Sequence, residues 1–239
     1  MSIQRLDKLL SERLPFSRNE LKKMARARLV MLNGEIITDL SCKADSEKDV
    51  ITVDGKKING DRFVYIMLNK PEGVISASEG RGERTVIDLL PDGMKRSGLF
   101  PAGRLDRDTT GFVLITNDGE FAHRILAPKN HIEKTYTVML DRPADENGVK
   151  MLSKGIELND GTHFLPAAVT LLNDERTALE VKICEGKYHE IKRMFKAIGC
   201  EVIKLRRDKI GSLCLDEALG NGEARYITQE ELELIEKRE

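Results

Sequence analysis

From Gly103 to Gly119 the chain reads GRLDRDTTGFVLITNDG, and this stretch restricts the possible folds more than any other. Val113-Leu114-Ile115-Thr116 is an apolar, β-branched run, entered through an Asp/Thr turn and broken off by Asn117-Asp118-Gly119. Such a run reads as a buried strand. Phe63–Leu68, Lys134–Val138, Val169–Leu172, Ala178–Cys184 and Val202–Leu205 are further strand candidates, with a last short one at Tyr226-Ile227. Long crossover helices do not alternate regularly with them. The expectation is therefore an α+β fold: a mixed, largely antiparallel sheet with helices packed on it.

Asp106 lies between Arg104 and Arg107 on the loop that feeds this strand. A carboxylate held by basic neighbours on a loop set by a rigid strand is a common build for a catalytic acid. A single charged loop residue is more often merely solvated. Asp106, Asp108, Thr110 and Gly111 also match the opening of a calcium-binding EF-hand loop, but Asn117 stands where its bidentate Glu belongs. Asp106-x-Asp108-x-Thr110 resembles the nucleophile signature of haloacid-dehalogenase-type phosphotransferases. That signature needs an apolar strand before the Asp, and Phe100-Pro101-Ala102-Gly103-Arg104 is a poor one.

The chain has 239 residues and a net charge of −1, so bulk charge announces no polyanion. Local charge does. Met1–Val30 carries eight Lys and Arg against three acids, and Lys187–Lys209 again carries eight against three. Two basic patches on a neutral protein point to a polyanion held at defined places. Cys42, Cys184, Cys200 and Cys214 show no C-x-x-C spacing and read as free thiols of a reducing cytosol. No apolar run reaches membrane-spanning length and the N-terminus lacks a signal-peptide core, so a cytoplasmic protein is expected.

Ile3, Leu6, Leu9 and Leu10 recur at helical spacing, and Pro15 ends that helix. Ser17 and Glu20 form a capping box for a second helix, with Leu21, Met24 and Ala25 on one face and Lys22, Lys23 and Arg26 on the other. Asn33-Gly34 and Asp54-Gly55 are hairpin turns. By itself this is a small domain with a solvated charged face. Ile58-Asn59-Gly60-Asp61-Arg62 reads as a linker, giving domains at 1–60 and 61–239. Ser76–Thr85, with Gly80 and Gly82 among charges, reads as a mobile loop. Lys70 in Asn69-Lys70-Pro71-Glu72-Gly73 reads as a turn residue. Short helices follow at Glu120–Leu126 and near Glu146–Lys154, the latter ended by Gly155. An amphipathic helix then buries Ile191, Met194, Phe195 and Ile198, and Thr228 with Glu231 caps a closing acidic helix.

Arg104-Leu105-Asp106, Thr109-Thr110-Gly111 and Thr116-Asn117-Asp118-Gly119 resemble the catalytic motif of pseudouridine synthases, in the branch that modifies small-subunit (16S) ribosomal RNA. Leu68-Asn69-Lys70-Pro71-x-Gly73, Lys134-x-Tyr136 and Glu185-Gly186-Lys187-Tyr188-His189-Glu190-Ile191-Lys192-Arg193-Met194 resemble further motifs of the same branch. Arg5-Leu6-Asp7-Lys8-Leu9-Leu10, Ser17-Arg18, Ala27-Arg28-Leu29-Val30 and Leu32-Asn33-Gly34 resemble the S-four RNA-binding domain. The resemblance spans nearly the full length.

It implies a catalytic Asp106, a Tyr136 that stacks on the target base and a Lys192 paired with the aspartate. Taken alone, Tyr136 is an ordinary strand aromatic and Lys192 a snorkelling surface cation. Substrate contacts are expected from Arg104, which fills the gap left by the base, from His189 and Arg193, and from Leu205 as an apolar wall. His189 taken alone is equally a capping or packing residue. RNA phosphates are expected on Arg5, Lys8, Arg18, Lys22, Lys23, Arg26 and Arg28. The branch usually has Gln where this chain has Glu190. The implied reaction frees a uracil from its ribose, turns it and rejoins it through carbon. It needs no metal or other cofactor, and the enzyme is expected to act as a monomer. Base flipping costs a few kcal/mol. A large-subunit substrate, or an RNA-binding factor without activity, are the other readings.

Overall fold

The structure, a computed structural model, describes residues 3–58 and 62–237. Residues 59–61 of the expected linker therefore lie outside the described residues. The chain divides into two compact units, Met1–Val64 with Pro91–Leu99, and Tyr65–Leu90 with Phe100–Glu239.

In the first unit β1 (Ile3–Arg5) leads into α1 (Leu6–Arg13) and α2 (Arg18–Arg26). Ile3 does not extend the helix as its spacing suggests. It is 60% exposed and pairs with Asp45 of β4 (Lys43–Asp45). The helix starts at Leu6 because its first amides have carbonyls waiting for them. Leu6 N–H donates to Cys42 and Asp7 N–H to Leu40, at 2.8 and 2.9 Å, which meets part of the need of a helix N-terminus. The Ser17–Glu20 capping box on α2 forms as expected.

Between α2 and β4 lies a hairpin of β2 (Val30–Leu32) and β3 (Glu35–Ile36), and β5 (Ile51–Val53) and β6 (Lys56–Lys57) form another. Asn33 and Gly34 have φ of 53° and 87°, and Asp54 and Gly55 have 50° and 71°. Two left-handed residues in succession are what a type I′ turn requires, and both dipeptides supply them cheaply. These strands line up as β3-β2-β5-β6. Leu6, Leu9, Leu10, Leu21 and Ala25 bury against Val30, Ile51 and Val53.

α2 ends in a Schellman motif. Leu29 N–H reaches Met24 O and Arg28 N–H reaches Ala25 O, both at 3.0 Å. Arg28 sits where glycine is usual, at φ 60°.

The second unit opens with β7 (Tyr65–Lys70), β8 (Phe100–Ala102), β9 (Thr110–Thr116), α3 (Gly119–Leu126), β10 (Lys134–Leu140) and α4 (Glu146–Leu152). A small hairpin, β11 (Ile156–Glu157) and β12 (His163–Phe164), precedes β13 (Ala168–Leu171) and β14 (Ala178–Ile183). Then come α5 (Glu190–Ala197), β15 (Val202–Ile210), β16 (Leu213–Cys214), β17 (Ala224–Tyr226) and α6 (Gln229–Glu236). The large sheet runs β13-β14-β10-β15-β9-β7-β17, with β8 added to β9 and β16 to β15. Among the described strands only β15 and β9 run parallel, so the mixed, largely antiparallel sheet read from the pattern is found.

Two strands differ from expectation. Phe100–Ala102 is a strand after all, a three-residue piece opposite Leu114–Thr116. Its Pro101 is tolerated because β8 pairs on one side only. Arg206–Lys209 does not follow a strand but continues one, since β15 runs nine residues to Ile210. Phe112 and Leu114 join Met67 and Ile210 in one core cluster with Phe121 and Ile125 of α3 and Leu232 and Ile235 of α6. The Thr228–Glu231 capping box starts α6.

An arginine in the left-handed region costs about 1 kcal/mol relative to glycine. Arg28→Gly should therefore raise the stability of the first unit by about that amount, read as an upward shift of the denaturant midpoint at unchanged slope.

Candidate active site

β9 is buried along Gly111–Thr116, which makes it a firm base for the loop entering it. That loop carries Asp106 and is held on both flanks. Before Asp106, Ser76 exchanges two hydrogen bonds with the Leu105 backbone: its Oγ donates to Leu105 O at 2.9 Å and accepts from Leu105 N–H at 3.0 Å. After Asp106, the Lys70 ammonium donates to the carbonyls of Arg107 and Thr109 at 3.2 and 2.7 Å, and to Pro71 O at 3.0 Å. Lys70 is fully buried, not a solvated turn residue. Burial pushes its pKa down to about 8. Nor is Ser76–Thr85 loose at its base, for Ser76 and Thr85 are both buried and Ile75 bridges to Thr85.

Lys192 comes from the first turns of α5 and faces this loop. Its Nζ lies 3.2 Å from Asp106 Oδ2 and 2.5 Å from Asp108 Oδ1. Partial burial opposes the charge on Lys192, but the hydrogen bonds it donates to Asp108 and Asp106 outweigh it, and its pKa is raised. Burial likewise opposes ionisation of Asp108, and the Lys192 hydrogen bond and charge still hold its carboxyl below the usual range. Asp108 is thus a second anchor for the ammonium, which the sequence reading did not assign. His189 Nε2 is 3.5 Å from Asp106 Oδ1.

Asp106, Lys192 and His189 border a cleft lined also by Arg104, Tyr136 and Leu205. Asp106, Tyr136, Lys192, Arg104, His189 and Leu205 are therefore together. Arg193 is not. Its guanidinium pairs with Asp160 at 2.6 Å, bonds Thr162 at 2.9 Å and lies over the Phe164 ring. Neighbouring helix positions point about 100° apart, and here the Asp160 and Thr162 contacts hold the Arg193 guanidinium on the side facing the β11–β12 hairpin.

Tyr136 is buried, and its hydroxyl is 3.5 Å from Nη1 of the buried Arg207, whose Nε donates to Phe112 O at 2.7 Å. Arg207, read from sequence as part of a basic surface patch, is a support under the cleft. The seven expected phosphate-binding residues are all exposed. Arg18, Lys22 and Arg26 recur every four residues along α2, with Lys23 beside them. Arg5 is engaged by Asp7 at 2.8 Å. Among the described residues no group of three or more His, Cys, Asp or Glu side chains is placed to hold a metal ion, and the four cysteines are free thiols. No helix among the described residues is long and apolar enough to cross a membrane.

Glu190 also lines the cleft and is 5% exposed. Its Oε2 accepts Lys187 N–H at 2.8 Å. Burial outweighs that bond and raises its pKa from 4.5 to about 7. The folded state then holds a proton on Glu190 between those pH values that the unfolded chain has released, so this group costs stability as pH rises through the window. Glu190→Gln should remove the cost. The variant's gain over the parent should be near zero at pH 4.5 and grow to about 3 kcal/mol above pH 8, measured by denaturant unfolding across pH.

Comparison with known proteins finds relatives over nearly the whole chain. Residues 64–197 match the RNA pseudouridylate synthase family and residues 4–51 match the S4 domain. An uncharacterized RNA pseudouridine synthase of Bacillus subtilis (strain 168) is 42% identical over 233 residues, covering 97% of this chain and 98% of that protein. Ribosomal small subunit pseudouridine synthase A of Vibrio vulnificus is 41% identical over 98% of this chain and all of that protein, 100%. The Escherichia coli (strain K12) protein of that name is 38% identical over 95% and 98%. A crystal structure of a pseudouridylate synthase superposes with a TM-score of 0.68 at 39% identity, covering 97% of this chain and 99% of that one.

Proposed function

The chain belongs to the RNA pseudouridylate synthase family and carries an S4 domain, and we propose that it converts one uridine of small-subunit ribosomal RNA to pseudouridine in the cytoplasm. The family activity is an isomerisation: the bond from the sugar's anomeric carbon to the uracil nitrogen breaks, and one to a uracil ring carbon forms. Nothing is oxidised, reduced or hydrolysed overall. The observation that carries the assignment of roles is the meeting of Asp106, Lys192 and Tyr136 at one cleft, with Lys192 only 3.2 Å from the Asp106 carboxylate.

In this reading the target base is flipped from its helix into the cleft and stacks on Tyr136. The phenol suits the task, being flat, apolar in body and polar at one end. Leu205 forms the apolar wall. Arg104, exposed at the rim, enters the space the base vacates. The Asp106 carboxylate attacks the anomeric carbon or removes a sugar proton, and either step needs the anion. The Lys192 ammonium keeps that charge paired while the base excludes water. The Lys70 and Ser76 bonds hold the loop so that the carboxylate needs little further ordering. Residues 1–60 supply an RNA-binding domain and 61–239 the catalytic domain. Arg5, Lys8, Arg18, Lys22, Lys23, Arg26 and Arg28 neutralise phosphates and position the RNA without reading its sequence. Relatives named for the small-subunit activity, aligned over nearly the whole chain, support that substrate.

Asp106→Asn keeps the shape and removes the anion. It should bind transcribed small-subunit ribosomal RNA as the parent does and form no pseudouridine; product at the parent's rate would refute the role. Reversing Lys22, Lys23 and Arg26 to Glu should weaken RNA binding and lower the slope of log affinity against log salt by about 2–3. An unchanged slope in a salt titration would take α2 out of the RNA interface.

A further inference from the structure

Tyr188 is 75% exposed, the most open large apolar or aromatic side chain among the described residues. It is not a stray ring. Its phenol lies parallel to the His189 imidazole, with centroids 3.8 Å apart and planes 19° from parallel. His189 takes the left-handed conformation, φ 50° and ψ 34°, at the start of α5. Histidine is one of the residues that tolerate this region. With the backbone so turned, the two successive rings are stacked and not splayed, and one face of the phenol is open.

The position of the stack matters as much as its shape. His189 borders the cleft described above and also a second depression, lined by Glu72, Gly73 and Arg107. Both depressions reach Asp106 and Lys192. His189 therefore stands on the ridge between them, with Tyr188 stacked on its ring; exposed Arg104 lines the first depression and exposed Arg107 the second. Gly186 and Lys187 come just before, so the ring is not part of a wider apolar patch in its own segment. An isolated, preformed aromatic face with guanidinium groups on either side is the build of a nucleobase platform. It is a poor seat for an apolar protein surface, which needs contiguous area.

We propose that the Tyr188–His189 stack is a second base-binding site, on which a nucleobase neighbouring the flipped uridine stacks. The proposal rests on the RNA substrate inferred above. With the target nucleotide in the cleft, its neighbour has to cross this ridge. Stacking there holds the strand in register and offsets part of the unstacking cost of flipping. His189 then acts twice: as the lower ring of the platform, and as the link from the platform to Asp106 at 3.5 Å.

The chain contains no tryptophan, so Tyr188→Trp places a single indole on the ridge. Its emission should fall about twofold or more when transcribed small-subunit ribosomal RNA is added, as base–aromatic stacking quenches it. Uridine monophosphate, which reaches the cleft alone, should leave the emission unchanged. Tyr188→Ala should raise KM for the transcript about tenfold, with the larger share of the loss in KM and not in kcat. Tyr188→Phe keeps the ring and should restore the parent KM. An indole whose emission ignores a transcript that the parent enzyme modifies would overturn the platform, as would a Tyr188→Ala KM within about twofold of the parent. If the parent makes no pseudouridine in that transcript, the substrate reading fails instead. The quench then tests the platform on a large-subunit transcript that the parent does modify.

Discussion

The close approach of Gly111 to Arg207 is the contact on which the site depends. β9 and β15 are parallel neighbours in a sheet whose other described pairs are antiparallel, and they are joined through two residue pairs, Thr110 with Arg206 and Gly111 with Arg207. Gly111 has φ 98°, and a β-carbon there would run into the Arg207 backbone. Only glycine satisfies both demands. This junction sets the entry to β9, and so the Asp106 loop, beside the strand that follows α5. The Asp106–Lys192 pair is a consequence: two charges 86 positions apart in the chain brought to 3.2 Å by a backbone contact that involves neither of them.

Around that junction the protein buries charge and uses it to hold backbone. Lys70 gathers three carbonyls, Arg207 spans from the Phe112 carbonyl to the Tyr136 hydroxyl, and Glu190 receives the Lys187 amide. Lys134, also buried, is pushed down to about 8 by the same loss of water. Each group is costly to dehydrate and loses more if its partners are removed. In return the loop, the tyrosine and the start of α5 are fixed before any ligand arrives, which suits chemistry that relies on preorganised charge.

Features set by a few neighbouring residues were legible in the sequence. The Asn33-Gly34 and Asp54-Gly55 turns, both capping boxes and the buried run after Asp106 need only local chemistry, and each formed. The cleft residues Asp106, Tyr136 and Lys192 were named through motif resemblance, since no local rule joins positions so far apart. What escaped was set by remote partners. Ile3 looked helical because its pairing strand lies forty residues on. Lys70 looked solvated because its carbonyls belong to residues 37 and 39 positions away. The charges of Arg206–Lys209 hid the continuation of β15, whose Arg207 points into the protein. Arg193 was named through the same motif, and its partners Asp160 and Thr162 lie more than thirty residues away in the chain.

The position of β15 also sets the order in which the second unit can assemble. It lies between β10 and β9, yet it is made after nearly every other strand of the sheet. During synthesis the pairs β9–β7 and β10–β14 can close early, each leaving open the edge that β15 will fill. The ribosome must deliver the chain to about residue 210 before a strand is available to bridge them. Until then those two edges invite mispairing, and a nascent chain stalled short of β15 holds two half-sheets with no closed core.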